Sequence, residues 1–436
     1  MPLGGVCSVT RWLACGLFLQ ACVGLRVPAQ AADWPRWRGP DGNDTTTEKS
    51  GWDGTTWHLA GPVWTASVGV GATSPIVAEG RVYVMGWREG KDTVTCLEAA
   101  TGRQVWNQSY SCPSHGRYRI GDENLYAGPS ATPTFDAASG LLYSLSIDGD
   151  LNCWNTREGG RRVWGLNLYD TYGVPQRPDV GGGARDYGYT TAPLVYGNWV
   201  IVEVGATEGS LMAFDKASGH REWVSQCQDP AGHTGGPVTM MVQGVPCVAV
   251  LTLRNLLVAR LDKDDEGATV ATYPWQTSYA NSIATPAVSG DIVILTSGYN
   301  QSRTVALWIT LQGVSLLWEQ RYYSKVCSPV IYEGHLYLAW LQLRCADLAT
   351  GKLRWSGGRF GDDGSCLVTA DGRLVVCGSG ALALVETEPR AAGKYTELAS
   401  RSLTAKPPWW PHVALAEGRL YAKDAQGNLL GLTVGP

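Results

Sequence analysis

The stretch Cys345-Ala346-Asp347-Leu348-Ala349-Thr350-Gly351-Lys352-Leu353-Arg354-Trp355 returns twice in altered form, as CLEAATGRQVW from Cys96 to Trp106 and as AFDKASGHREW from Ala213 to Trp223. All three run for eleven residues, with Gly at the seventh place and Trp at the eleventh: Gly102 with Trp106, Gly219 with Trp223, Gly351 with Trp355. Looser copies end on Trp164 and Trp318, and an orphan Trp64 precedes the whole series. A second piece recurs upstream of these motifs, an apolar run, a glycine turn and another apolar run. Ser74 to Val84 (SPIVAEGRVYV) is its clearest form, echoed by SPVIYEGHLYL from Ser328 to Leu338 and APLVYGNWVIV from Ala192 to Val202. Such runs around a tight glycine turn are hairpin signals, because glycine accepts the positive φ of primed turns.

The turn glycines are Gly80, Gly140, Gly197, Gly244, Gly290, Gly334, Gly372 and Gly418, spaced 38 to 60 residues apart. A period of about 45 residues, with four strand-like segments in each and no amphipathic helix, predicts the blade of a β-propeller rather than a helical solenoid. A blade cannot bury both faces of its sheet alone, so copies stack around a ring. The repeat Trp then fills the gap between sheets, and its N–H calls for a partner, most cheaply a backbone carbonyl of the next blade. The fold class is therefore all-β, an eight-bladed propeller, with seven blades as the alternative if the weak copy at Gly372 merges with a neighbour. The last copy ends at Pro436, eighteen residues after Gly418, too early for its fourth strand. The segment around Trp64 is expected to supply that strand and to close the ring by pairing the chain's two ends.

The chain has 436 residues, 54 of them glycine and 19 tryptophan, and a formal charge of -4. No basic run of five or more residues occurs, which argues against nucleic acid as a partner. Arg11, the apolar stretch from Trp12 to Leu25 and the small residues at Ala29-Gln30-Ala31 together form the pattern of a secretory signal peptide. A second address competes with it: Leu19-Gln20-Ala21-Cys22 resembles a lipoprotein box and would anchor the chain at Cys22. The expected organisation is residues 1–31 as signal, 32–60 as an amino-terminal extension and 61–436 as propeller, exported to the periplasm or beyond and not transmembrane.

Cleavage after Ala31 leaves nine cysteines, an odd number for an exported protein. Cys96, Cys153 and Cys345 share one repeat register, where Ala213 stands in another copy, and are expected to act as small buried hydrophobes. Cys366 and Cys377 flank Asp371-Gly372 symmetrically. A hairpin centred between those two residues would set the cysteines opposite each other and leaves open a cross-strand disulfide.

The run Asp347-Leu348-Ala349-Thr350-Gly351-Lys352-Leu353-Arg354-Trp355, with Asp215 to Trp223 and Glu98 to Trp106, resembles the repeat of pyrroloquinoline quinone (PQQ) dehydrogenases, and copies of it cover residues 61 to 436. Asp33-Trp34-Pro35-Arg36-Trp37-Arg38-Gly39-Pro40-Asp41-Gly42, Pro274-Trp275 and Gly364-Ser365 are more similar to secreted bacterial PQQ-like propellers, which share their fold with the outer-membrane barrel-assembly propeller lipoprotein. That resemblance implies a fold and an address, not a reaction. In the alcohol-oxidising enzymes the quinone is paired with Ca²⁺ and an Asp base, often beside adjacent cysteines. No Cys-Cys dipeptide occurs here, and no residue maps by motif onto the base or the calcium ligands.

Ligands of propellers sit in a funnel formed by the segments that enter each innermost strand. Gly181 to Pro193 is the most polar and aromatic of these, offering Arg185, Asp186, Tyr187 and Tyr189. Other blades offer His233, Tyr279, Asn281, Lys325, Trp409, Trp410 and His412. Arginine suits a carboxylate and tyrosine a flat ring. The structural alternative is that these residues fill the channel mouth and satisfy one another. The six histidines show no ligand spacing, so no metal site is expected. The long excursion from Ser111 to Gly128 suits a protein-facing loop. The leading expectation is a non-catalytic, cofactor-free exported propeller, monomeric, that binds a protein or envelope polymer. The alternative is a quinoprotein oxidoreductase using PQQ with calcium.

Overall fold

In a computed structural model the described residues are 32–113, 127–174, 179–180, 183–184, 188–403 and 408–435. Eight antiparallel sheets follow one another along the chain and form eight blades. Blades one to four span residues 76–111, 134–167, 194–224 and 238–274, and blades five to seven span 287–320, 330–361 and 365–402. The eighth joins 414–434 to the amino-terminal strand Leu59–Ser67. Each predicted turn glycine has a positive φ, between 57° and 86°, as primed hairpins require. Seven sheets have four strands. The sixth has three, because His335–Asp347 runs as one strand over the span of two, with Leu341 at φ 59° midway.

The ring closes as the truncated last copy requires. Leu59–Ser67 pairs antiparallel with Asn428–Val434, setting Trp64 opposite Gly431. Apolar clusters then fill the gaps between successive blades. Ile76, Met85, Cys96 and Trp106 of the first blade pack on Leu142 and Trp154 of the second, for example. The buried apolar clusters each draw on successive blades, so each blade depends on its neighbours.

The motif residues build these gaps. Trp64 Nε1 donates to the Ala99 carbonyl of the next blade at 3.0 Å, Trp164 to Lys216 at 3.1 Å and Trp318 to Leu348 at 2.9 Å. Trp355 instead donates to the Glu388 carboxylate at 2.6 Å. The repeat glycine receives the preceding blade's indole. A Cβ on Gly102, Gly219 or Gly351 would come within 2.5, 2.7 or 2.6 Å of Trp64, Trp164 or Trp318. Glycine there serves both its own turn, at φ 69°, 74° and 70°, and its neighbour's tryptophan.

Cys96, Cys153 and Cys345 are buried, and each pairs across its strand with the blade's own Trp106, Trp164 or Trp355. The hairpin of the seventh blade corrects the expectation for Cys366 and Cys377. Its loop spans residues 369–373, so Cys377 stands opposite Ser365, and Cys366 opposite Val376. A shift of one residue turns a side chain to the other face. Cys366 accordingly packs toward the sixth blade and Cys377 toward the eighth, and the two are not bonded.

Candidate functional site at the propeller axis

The first strand of each blade lines the centre of the ring, and the segment from Trp34 to Ser50 lies against these strands. Trp34 exchanges backbone hydrogen bonds with Val77 of blade one, and the Pro35 carbonyl accepts from Phe135 N of blade two at 2.8 Å. The chain reverses at Arg38 and Gly39, both left-handed, and returns along the seventh and eighth blades. Thr46 N bonds the Val368 carbonyl at 3.0 Å, Ala370 N bonds the Glu48 carbonyl at 2.9 Å, and Ser50 Oγ donates to Asp371 at 2.7 Å.

At the turn of this segment a polar and aromatic knot fills the axis. Arg38 is buried and donates through Nε to Asp44 at 2.5 Å, and through its two Nη atoms to the Pro286 and Pro329 carbonyls of blades five and six. The other Asp44 oxygen meets His412 Nδ1 of blade eight at 3.2 Å. Burial by itself would raise the Asp44 carboxyl, but Arg38 and His412 outweigh it and hold the group below its ordinary value. The Trp37 ring lies 4.4 Å from the His412 ring, and its indole N–H donates to Thr285 Oγ1 at 3.0 Å. Gly235 and Gly236 of blade four make room for that indole, since a Cβ on Gly235 would approach it to 2.7 Å. A small crevice beside the knot is lined by Arg36, Asp41, Pro193 and Pro237.

The funnel residues expected from the sequence are distributed as follows. His412 belongs to the axial knot. His233 Nδ1 lies 3.4 Å from Asn281 Oδ1, joining two neighbouring blades at the channel mouth. Lys325 sits over the Tyr299 ring at 5.5 Å. Tyr189 is buried, its hydroxyl donating to the Val204 carbonyl at 2.8 Å, and Trp409 is fully buried beside Asp363, which accepts from its backbone N–H. Trp410 is half-buried next to it. Tyr279 lies in the short 3₁₀ turn Ser278–Ala280. Arg185, Asp186 and Tyr187 lie outside the described residues, as does most of the Ser111–Gly128 excursion. Trp37, Arg38 and Asp44 were not expected at the axis. The available signals were two tryptophans and two arginines within Trp34 to Arg38, and the paired glycines Gly235-Gly236.

A quinone paired with calcium needs an open axial funnel and carboxylates free to bind a cation. The residues present do not fit that requirement: the chain's own side chains fill the axis, and both Asp44 oxygens are engaged by Arg38 and His412. Among the described residues no group of three or more His, Cys, Asp or Glu is arranged to hold a metal ion.

The family model described as outer membrane protein assembly factor BamB matches residues 60–128 and 92–357. No curated protein matches the chain. Among solved structures, BamB from Moraxella catarrhalis superposes with a TM-score of 0.55 at 11% identity, over 86% of this chain and 99% of that one. Quinohemoprotein alcohol dehydrogenase from Comamonas testosteroni gives 0.61 at 14% identity, over 92% and 80%. Sqt1 from Saccharomyces cerevisiae gives 0.53 at 10% identity, over 90% and 100%. Identities this low speak for the fold alone, which these differently named proteins share.

Proposed function

Because the chain belongs to the family of the outer membrane protein assembly factor BamB, we propose that it is an exported, non-catalytic propeller that holds a protein or envelope polymer on its loops. The observation that carries this reading is the filled axis. Where a propeller cofactor would need space, Trp37 and the Arg38–Asp44–His412 knot stand instead, and each has its polar atoms engaged by the ring itself. Such an arrangement stiffens the ring and leaves recognition to the rims. Export rests on the leader-like residues 1–31 and agrees with the family. No helix among the described residues is long and apolar enough to cross a membrane.

The test is a titration of the purified protein with PQQ in the presence of Ca²⁺, followed by quenching of its tryptophan fluorescence. No saturable quenching up to high micromolar PQQ is expected. Saturation at one equivalent would overturn the reading in favour of a PQQ-dependent oxidoreductase, and alcohol-dependent dye reduction would then identify the substrate.

A further inference from the structure

On the face where chain segments enter the innermost strands, blades five and six carry a contiguous strip of aromatic and cationic side chains. Lys325 Nζ lies 5.5 Å from the centre of the Tyr299 ring. Tyr323 and Lys325 both lie against Gly298, where a Cβ would meet them at 2.8 and 2.6 Å. The Tyr323 ring is 4.8 Å from that of Trp340, and Arg344 Nη1 donates to the Trp340 carbonyl at 2.9 Å. Next to Trp340, Leu341 is 46% exposed. The strip thus has a cation at each end and an apolar middle.

Three of its groups lack the partner their chemistry calls for. Among the described residues neither Lys325 nor Arg344 is paired with a carboxylate, although burial of the Arg344 guanidinium lowers its pKa and so penalises its charge. The indole N–H of Trp340 is buried without an acceptor. All three are donors. A neutral sugar carries no charge to meet the two cations, whereas an extended acidic peptide adds carboxylates, which only accept, to the donors and acceptors of its backbone. Arginine's planar fork fits a carboxylate with two parallel bonds, and the Tyr323–Trp340–Leu341 surface takes an apolar side chain.

Resting on the binding-propeller reading, we propose that this strip binds an acidic peptide segment of a partner protein, one carboxylate on Lys325, another on Arg344, and an apolar residue between them against Trp340. Two cations at its ends give the strip a local positive charge, which favours the approach of an acidic partner.

The experiment measures fluorescence anisotropy of a fluorescein-labelled peptide with a Glu-Leu-Glu core on the purified full chain, beside a Lys-Leu-Lys peptide and a carboxylated polysaccharide. The acidic peptide is expected to bind, to weaken with added salt, and to lose about tenfold in affinity or more with Lys325→Glu or Arg344→Gln at unchanged melting temperature. Affinity unmoved by both variants, or equal binding of the basic peptide, overturns the proposal. Binding of the polysaccharide alone, in an Arg344-dependent way, overturns it in favour of a glycan. If neither acidic peptide nor PQQ binds, this inference falls and the binding-propeller reading stands; if PQQ saturates the protein, that reading falls instead.

Discussion

Gly102 of blade one lies flat beneath the indole of Trp64, on the strand that closes the ring, so closely that a Cβ there would come within 2.5 Å of the ring. The repeat glycine is thus a contact residue as well as a turn residue. Gly80, in the hairpin of the same blade, has a comparable φ of 72° and nothing within 4 Å. The two glycines separate backbone strain from packing.

Gly80→Ala should cost about 1 kcal/mol, the strain of an alanine at positive φ. Gly102→Ala should cost about 2–4 kcal/mol, because overpacking against Trp64 adds to that strain. Urea unfolding midpoints check both. Equal costs would remove the tryptophan from the explanation.

Arg38→Met should cost about 3–5 kcal/mol, since it leaves the Asp44 carboxylate buried without its cation and strips the Pro286 and Pro329 carbonyls of their donor. Asp44→Asn should cost less, because the amide can still accept from Arg38. The Asp44 carboxyl lies below its ordinary value in the folded chain. Its contribution is therefore present above the unfolded carboxyl's pKa and is lost as pH falls through the folded one, so Asp44→Asn should flatten the acid limb of the stability curve. A cost for Arg38→Met below about 1 kcal/mol would show that the segment does not hold the axis.

The ring was legible because it repeats. Eight turn glycines, the motif tryptophans and the missing last strand each restate one local rule, and period alone reveals it. The seventh hairpin was legible except for its register: a five-residue loop in place of a tight turn moves Cys377 from opposite Cys366 to opposite Ser365. Titration of thiols in denaturant, after leader removal, should accordingly find all nine free. The axial knot was not legible. Arg38 reaches carbonyls 248 and 291 residues away, and Asp44 meets His412 across 368. No periodicity encodes a contact made once by a segment outside the repeat.

Asp92 is buried, close to Asp148 and Asp150 of blade two, with the Cys112 thiol and the Ser146 hydroxyl beside it. Burial, opposed by hydrogen bonds from Cys112 and Ser146 and reinforced by Asp148 and Asp150, pushes its carboxyl up to about 7. Between about pH 4 and 7 the folded chain therefore keeps a proton that the unfolded chain has released, and stability falls as pH rises through that window. Relative to the parent, Asp92→Asn should gain roughly 2–3 kcal/mol on going from pH 5 to pH 8, measured by urea unfolding at both. A pH-independent difference would mean that the carboxylate finds solvent or a cation.

Lys423 predicts the opposite slope. It is fully buried in blade eight, its ammonium donating to the Gly71 carbonyl at 2.5 Å. Burial lowers its pKa to about 7, against the smaller pull of Asp424. From about pH 7 to the ordinary lysine range the unfolded chain binds a proton that the folded chain does not, so stability rises with pH there. Lys423→Met keeps the length of the side chain and removes the titration. Its advantage over the parent should be full below about pH 6 and shrink by roughly 2 kcal/mol between pH 7 and pH 9. Because Asp92 and Lys423 act in adjoining pH windows with opposite sign, unfolding both variants and the parent from pH 5 to 9 separates them. An advantage of Lys423→Met that grows with pH would show that the ammonium stays charged in the fold and draws stability from its acceptors.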